Sequence, residues 1–200
     1  MRRAFLLCWL SFALTACKQN TVASYEALAA HLAEPENGFV KTWSSQDIEL
    51  QCSYRPPGLL AAQDVFVRET FGPEKLDSLS SAYAGTTHFT LSLAKDKQDF
   101  ENQFLYDRAV YAAVVQYLSG AVSEDIYLVT PDKGVVKALA VAYPRMYGAT
   151  NNSTLFITFN YTLPPKGSLA LSFQGRRVGL PLVTFNFDNG KLRRVPAIRL

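Results

Sequence analysis

Thiols and imidazoles are scarce in this chain, which has three cysteines and two histidines among its 200 residues. Zinc sites and cysteine nucleophiles depend on several such side chains at defined spacings, and no such spacing occurs here. The sequence also lacks a Gly-x-Ser-x-Gly elbow, a phosphate-binding Gly-rich loop and a His-Glu-x-x-His pair. We therefore predict no catalytic residue, no metal site and no cofactor.

A strong excess of charge is also missing. The formal net charge is +3, and Arg2 and Arg3 supply two of the 20 basic residues. Without these two, 18 basic residues stand against 17 acidic ones, and the net charge is +1. No basic field therefore favours nucleic acid as a partner. One basic group remains near the C-terminus, and we interpret it as the charged, solvated edge of a sheet. Its members are Lys191, Arg193, Arg194 and Arg199.

Long apolar runs are confined to the N-terminus. Arg2 and Arg3 precede an uncharged segment, Ala4 to Leu14, whose 11 residues are too few for a membrane-spanning helix of roughly 20. Small residues then lead to Cys17. This order is typical of a secretory signal peptide, which we place at residues 1–16.

The end of this signal, Leu14-Thr15-Ala16-Cys17, resembles the lipobox of bacterial lipoproteins. The resemblance implies cleavage before Cys17, a thioether from its sulfur to diacylglycerol and, usually, acylation of the new amino group. Several acyl chains hold a protein on a membrane far more strongly than one. In many Gram-negative lipoproteins an Asp after this Cys causes retention at the inner membrane. Lys18 stands there and no acidic run follows, so the resemblance implies the periplasmic face of the outer membrane.

A second, shorter resemblance begins after the signal. The segments Asn37-Gly38-Phe39-Val40-Lys41 and Tyr54-Arg55-Pro56-Pro57-Gly58-Leu59-Leu60-Ala61 are similar to a group of uncharacterised Bacteroidetes lipoproteins. Members of that group carry an Asn-Gly-Leu turn and a Tyr-x-Pro segment after the first strand, and Phe39 replaces the Leu here. The resemblance implies a lineage and no particular activity.

Cysteine usage excludes an internal disulfide once the signal is removed. Cys8 leaves with the signal and Cys17 carries the lipid, so Cys52 has no partner. Cys52 lies on the apolar side of the alternation that runs from Ile48 to Tyr54. We therefore predict a buried, unreactive thiol.

Residues 37–200 are predicted to form one domain, preceded by a tether over residues 17–36. Within the tether, Ser24 to Ala33 has the spacing of a short helix with Ser24 as its N-cap. This helix is either a spacer or a helix packed on the domain. Two further helices are predicted within the domain, near 57–71 and 98–119.

The helix near 98–119 has the stronger pattern, with Asp96 as its N-cap and a row of apolar residues from Phe100 to Leu118. Residues 73–86 are rich in Ser, Gly and Pro, and we predict a loop there.

Alternating apolar residues predict eight strands, of which the first two are Asp47 to Tyr54 and His88 to Leu93. Asp188-Asn189-Gly190 additionally predicts a two-residue hairpin. Short, regular spacing of strands is typical of an antiparallel β-sandwich, immunoglobulin-like or similar, which the two longer helices would cover. The fold class is thus α+β and mainly β. The later strands are Ile126 to Thr130, Val135 to Tyr143, Thr154 to Thr162, Leu169 to Phe173, Pro181 to Asp188 and Val195 to Leu200.

The anchor and the missing catalytic motifs favour a binding or assembly module that contacts another envelope protein or a polysaccharide. Tyr143, Arg145 and Tyr147 are the candidate contact residues, because Tyr and Arg are favoured at interfaces. The alternative for these three is a packed connector between strands. An envelope hydrolase acting on glycan or peptide is the second hypothesis, and it requires a pocket with two convergent acidic or His groups. A structural or immunity-type lipoprotein is the third.

Overall fold

The computed structural model of the chain describes residues 21–67, 72–146 and 150–198. Within these ranges the fold is α+β and mainly β, as predicted, with antiparallel sheets and five α-helices. The strands are β1 (Thr21–Val22), β2 (Val40–Ser45), β3 (Ile48–Arg55), β4 (Thr87–Lys95), β5 (Gln98–Asp99), β6 (Ile126–Thr130), β7 (Gly134–Lys137), β8 (Ala140–Ala142), β9 (Ser153–Phe159), β10 (Ser168–Gln174), β11 (Leu182–Asp188) and β12 (Ala197–Ile198). The helices are α1 (Tyr25–Ala33), α2 (Pro57–Ala62), α3 (Leu76–Tyr83), α4 (Arg108–Ser119) and α5 (Asn189–Leu192).

Two antiparallel sheets contain most of the strands. The larger has the order β2-β3-β4-β9-β8, with β5 paired to the end of β4, and the smaller has the order β11-β10-β6-β7. β1 and β12 form a separate parallel pair. Side chains alternate along a strand, so each sheet buries one face: Phe89 and Leu91 of β4 are buried, as are Phe185 and Phe187 of β11. Phe89 and Phe187 contact each other between the sheets, with ring centroids 5.2 Å apart.

The edge strand β2 was not predicted. It pairs with β3 from Val40 opposite Ser53 to Ser45 opposite Ile48, and the tight turn between the strands places Gln46 at a φ of 52°. β2 has a single neighbour in the sheet and is mostly polar. Its apolar alternation is therefore too weak to indicate a strand.

The predicted return strand over residues 135–143 is in fact two strands in different sheets. β7 pairs with β6 in the smaller sheet, and β8 pairs with β9 in the larger. The chain crosses at Ala138 and Leu139, whose N–H groups donate to the Ile126 carbonyl (3.4 Å) and the Thr158 carbonyl (2.8 Å). Residues 135–143 contain no Gly or Pro, so the sequence carries no turn signal at the crossing.

Helix α1 is packed on the domain, which is the second of the two alternatives left by the sequence. Ser24 caps it as predicted, since its hydroxyl accepts the Ala27 N–H at 3.2 Å. Leu28 and Leu32 are buried in the common hydrophobic core. Cys17, at the start of the predicted tether, lies outside the described residues.

The predicted loop over residues 73–86 is wrong, because it contains α3. This helix packs along α2, and the Tyr83 hydroxyl donates to the Asp64 carboxylate at 2.5 Å. Such tertiary contacts outweigh a composition that is typical of loops. The predicted helix near 57–71 begins as α2 at Pro57 and continues as a π-helical turn; residues 68–71 lie outside the described residues.

The predicted helix over 98–119 is wrong at its start. Asp96 does not cap a helix but lies in the β4–β5 turn at a φ of 50°. A short 3-10 segment, Phe100–Phe104, follows β5, and α4 begins only at Arg108. Asp107 is the N-cap, since its carboxylate accepts the N–H groups of Ala109 and Val110 at 2.9 and 3.1 Å. The interruption lets Phe100 enter the core, where it is fully buried.

The predicted hairpin at Asp188-Asn189-Gly190 is also wrong. The Asp188 carboxylate instead accepts the Lys191 N–H at 2.8 Å and caps α5. Asn189 is buried, and its N–H donates to the Gly167 carbonyl at 2.9 Å. The chain therefore turns away from β11, and the last predicted strand is reduced to β12, which pairs with β1.

Candidate functional site

The predicted contact residue Tyr143 follows β8 and is tied to a buried carboxylate. Its hydroxyl donates to Glu101, and the Ser153 hydroxyl donates to the other oxygen of the same carboxylate. Ser153 also accepts the Phe100 N–H at 2.8 Å. Glu101 is only 4% exposed. Burial and the bond to Glu101 raise the pKa of Tyr143 above its usual value, so the phenol stays protonated and keeps donating.

Arg145 is likewise committed to an internal contact. Its Nη2 donates to the Tyr111 hydroxyl at 2.7 Å, and its guanidinium lies 5.9 Å from the centroid of the same ring. Residues 143–146, which we name the connector, are therefore fastened to the start of α4 and to the segment before it. Tyr147, the third predicted contact residue, lies outside the described residues. A contact role for Tyr143 and Arg145 stays a prediction.

Exposed apolar side chains flank the connector. Leu105 is 61% exposed, Tyr106 100%, Val110 41% and Met146 46%. Leu105 and Tyr106 lie in the bend that leads into α4, and Val110 lies in the first turn of that helix. Met146 follows Arg145, which contacts Tyr111 of α4. We name these four residues the apolar rim. Single exposed apolar residues are ordinary, but several at the start of one helix and in the segment tied to it are typical of an interaction surface.

The rim was not predicted, because the sequence pattern places Leu105, Tyr106 and Val110 inside a continuous helix near 98–119 and Met146 in a connection between strands. A usable signal was nevertheless present: Leu105-Tyr106 stands directly before Asp107, and Asp is a preferred N-cap residue. Two apolar residues before a helix cap lie outside the helix, where they have no helical neighbours to cover them.

A cavity at one end of the larger sheet bears on the hydrolase hypothesis. It has a volume of about 280 Å³ and is lined by Asp64 and Tyr83, with His88 in edge-to-face contact with the Tyr83 ring at 5.7 Å. Asp64 accepts from Tyr83, whereas the His88 nitrogens contact the hydroxyls of Thr86 and Thr158. No hydrogen bond joins His88 to Asp64 in the part of the chain that the structure describes. The two groups are therefore not arranged as a base and its orienting acid.

Cys52 is buried as predicted, and burial raises the pKa of its thiol well above its usual value. Such a thiol is a poor nucleophile. Across residues 21–67, 72–146 and 150–198, no three His, Cys, Asp or Glu side chains are grouped as metal ligands. Over those ranges, no helix has the length and apolarity needed to cross a bilayer.

Three members of the C-terminal basic group are exposed to solvent, but they do not lie on the sheet edge that was predicted for them. Lys191, Arg193 and Arg194 are exposed, and Arg193 donates to the Leu163 carbonyl at 3.1 Å. These residues belong to α5 and to the segment before β12, so they do not lie on an edge of either main sheet. Arg199 lies outside the described residues.

No protein-family model and no curated protein matches the sequence. Among solved structures, the chain has a likeness to the crystal structure of a DUF4426 family protein from Pseudomonas aeruginosa, with a TM-score of 0.35 and 10% sequence identity. The likeness covers 75% of this chain and 92% of the other. A similarity of this size carries no argument about fold or function.

Proposed function

We propose that this chain is an envelope lipoprotein, anchored in the outer membrane through Cys17 on the periplasmic face, that binds a partner protein and has no catalytic activity. The observation that carries the binding role is the apolar rim, whose four members are exposed at the start of α4 and at the end of the connector. Interfaces concentrate affinity in a few exposed aromatic and apolar residues, and Tyr106 is such a residue with no side-chain burial at all.

The internal contacts of the connector support this role. Tyr143 and Arg145 hold the connector against Glu101 and Tyr111, so the rim is presented by a fixed backbone. A fixed surface loses less conformational entropy on binding than a mobile one. We therefore propose that Tyr143 and Arg145 position the rim in addition to their predicted contact role, and that Leu105 and Tyr106 make further contacts.

A β-sandwich is the architecture that we propose for this module. The contact between Phe89 and Phe187 joins the buried faces of the two sheets, which supports packing of one sheet on the other. In this arrangement α2 and α4 lie as covering helices over the sandwich, and the rim lies where α4 begins.

Crosslinking in intact cells tests the binding role. A photoreactive phenylalanine analogue at position 106 is expected to capture one envelope protein reproducibly after irradiation. The matched control carries the analogue at Leu182, an exposed apolar residue on β11 in the other sheet. A second experiment places the analogue at position 110. There, Leu105→Ser combined with Tyr106→Ser should abolish the crosslink, while Leu182→Ser should leave it unchanged. An identical set of captured proteins from positions 106 and 182 would remove the rim from the proposal.

Membrane fractionation tests the anchor separately. Cys17→Ala is expected to move the protein from the membrane fraction to the soluble fraction, because the thioether cannot form. Lys18→Asp should keep the protein on membranes but shift it from the outer to the inner membrane in a sucrose gradient. Retention of the Cys17→Ala protein on membranes would refute the anchor without touching the rim.

A further inference from the structure

Arg55, the last residue of β3, carries a positive charge that the described protein does not balance. Its Nη2 donates to the Gln63 side-chain oxygen at 2.5 Å, and its buried Nε has no hydrogen-bond partner among the residues that the structure describes. Over the same ranges no acidic side chain forms an ion pair with it. Buried cations in proteins are normally paired with an anion, because desolvation of an unpaired charge is costly.

The neighbouring His88 is neutral and does not compensate the charge of Arg55. It lies opposite Arg55 in the β3–β4 ladder. The Thr86 hydroxyl donates to the Tyr83 carbonyl at 3.1 Å, so its oxygen accepts the His88 Nε2–H at 2.6 Å, and Nδ1 accepts from the Thr158 hydroxyl at 3.1 Å. Both nitrogens are thus satisfied in the neutral imidazole. Burial and the charge of Arg55 also lower the pKa of His88, which keeps the ring neutral.

Arg55 borders the 280 Å³ cavity, whose walls divide into two kinds. Leu60 and Phe156 form an apolar part, and Phe156 is exposed on the outer face of β9. Asp64, whose carboxylate accepts from the Tyr83 hydroxyl, also lines this cavity. The cavity therefore combines a guanidinium, an apolar wall and a carboxylate.

We infer that this cavity binds a monocarboxylate with a small apolar body, held with its carboxylate against Arg55 and its body between Leu60 and Phe156. A planar carboxylate matches the hydrogen-bonding geometry of a guanidinium. The apolar wall formed by Leu60 and Phe156 favours a carboxylate that carries an apolar body over inorganic phosphate, which has none. The inference depends neither on the lipid anchor nor on the apolar rim.

Titration of the purified full-length chain with benzoate, followed by ligand-observed NMR, tests the inference. Arg55→Gln should weaken benzoate binding by about tenfold or more, since it removes a charge-assisted hydrogen bond. Gln63→Glu should weaken benzoate binding to a similar extent without removing the guanidinium. The new carboxylate pairs with Arg55 and competes with the ligand. Phe156→Ala should weaken benzoate and leave the binding of acetate unchanged.

Arg176→Gln is the matched control, since Arg176 is an exposed arginine after β10, and it should leave benzoate binding intact. Circular dichroism establishes that each variant is folded, and Gln63→Glu keeps the test available if Arg55→Gln does not fold. Equal affinity of the wild type and the Gln63→Glu variant for benzoate would overturn the inference. So would tighter binding of inorganic phosphate than of benzoate, or the absence of benzoate binding to the wild type.

Discussion

Two charged side chains next to the larger sheet differ in burial and in the number of hydrogen bonds that compensate their charge. Glu101 is deeply buried, and two hydroxyl groups, of Tyr143 and Ser153, donate to its carboxylate. Arg55 is half-buried, and one neutral amide oxygen, of Gln63, is the acceptor for its guanidinium among the described residues. The first charge is enclosed by the protein, whereas the second borders a cavity.

This difference separates structural charges from charges available to a ligand. A buried carboxylate that accepts several hydrogen bonds fixes the segments that supply the donors, here the connector and the start of β9. A partly buried cation without an internal anion contributes little to folding, because its desolvation is poorly compensated. The comparison therefore predicts that loss of Glu101 destabilises the fold strongly and that loss of Arg55 does not.

Glu101→Ala should have the largest effect, with a loss of about 3 kcal/mol in the free energy of unfolding. It leaves the Ser153 hydroxyl, which is buried, and the Tyr143 hydroxyl without their acceptor, and it removes the packed side chain. Urea denaturation followed by tryptophan fluorescence measures the loss. Glu49→Ala, at an exposed glutamate on β3, is the control and should change the value by less than about 0.5 kcal/mol. Equal losses at the two positions would show that the Glu101 network is not structural.

Tyr143→Phe should cost about 1.5 kcal/mol, because Glu101 loses one of its two hydroxyl donors while the ring is kept. The matched variant is Tyr111→Phe, which removes one acceptor for Arg145 in a partly buried contact and should cost less than about 0.5 kcal/mol. The same urea experiment measures both variants. If Tyr111→Phe is the more costly change, the connector is held mainly through Arg145.

Arg55→Gln should change the free energy of unfolding by less than about 1 kcal/mol in either direction. The variant loses the packing of the long side chain and its hydrogen bond to Gln63. It also removes the buried Nε that has no hydrogen-bond partner among the described residues, and this gain offsets the losses. Thermal unfolding of the purified protein measures the change. A loss as large as that of Glu101→Ala would mark Arg55 as a structural cation and erase the contrast between the two sites.

The parts of the fold that were predicted correctly are those where local pattern and tertiary environment agree. β3, β4 and β9 each bury one face, so their alternation of apolar residues identified them. The errors occur where a contact distant in sequence decides the structure. Asp188 caps a helix instead of opening a hairpin because Asn189 is held by Gly167, and α3 forms in a loop-like composition because Tyr83 contacts Asp64.

The site residues show the same limit. Tyr143 and Arg145 were singled out for their chemistry, but the sequence does not reveal that Glu101 and Tyr111 occupy their polar atoms. Arg55 had been noted only as part of a resemblance to other lipoproteins. Which side chains surround Arg55, and the absence of an ion pair to it among the described residues, depend on the packing of the α2 segment and β4 around the end of β3. No local pattern encodes that arrangement.

The smallest expected effect is a pH dependence that belongs to His88. Burial and the charge of Arg55 lower its pKa in the folded state below the ordinary 6.5 of the unfolded chain. The unfolded state therefore binds more protons as the pH falls below 6.5, and the free energy of unfolding decreases there. His88→Asn should remove this contribution, so the difference in stability between wild type and variant should shrink from pH 7 to pH 5. Urea denaturation at both pH values measures it.

In the Arg55→Gln background the pKa of His88 should lie closer to its ordinary value, because the positive charge of Arg55 is gone. The decrease in the free energy of unfolding should then be smaller. An unchanged decrease in that background would show that burial alone sets the pKa of His88.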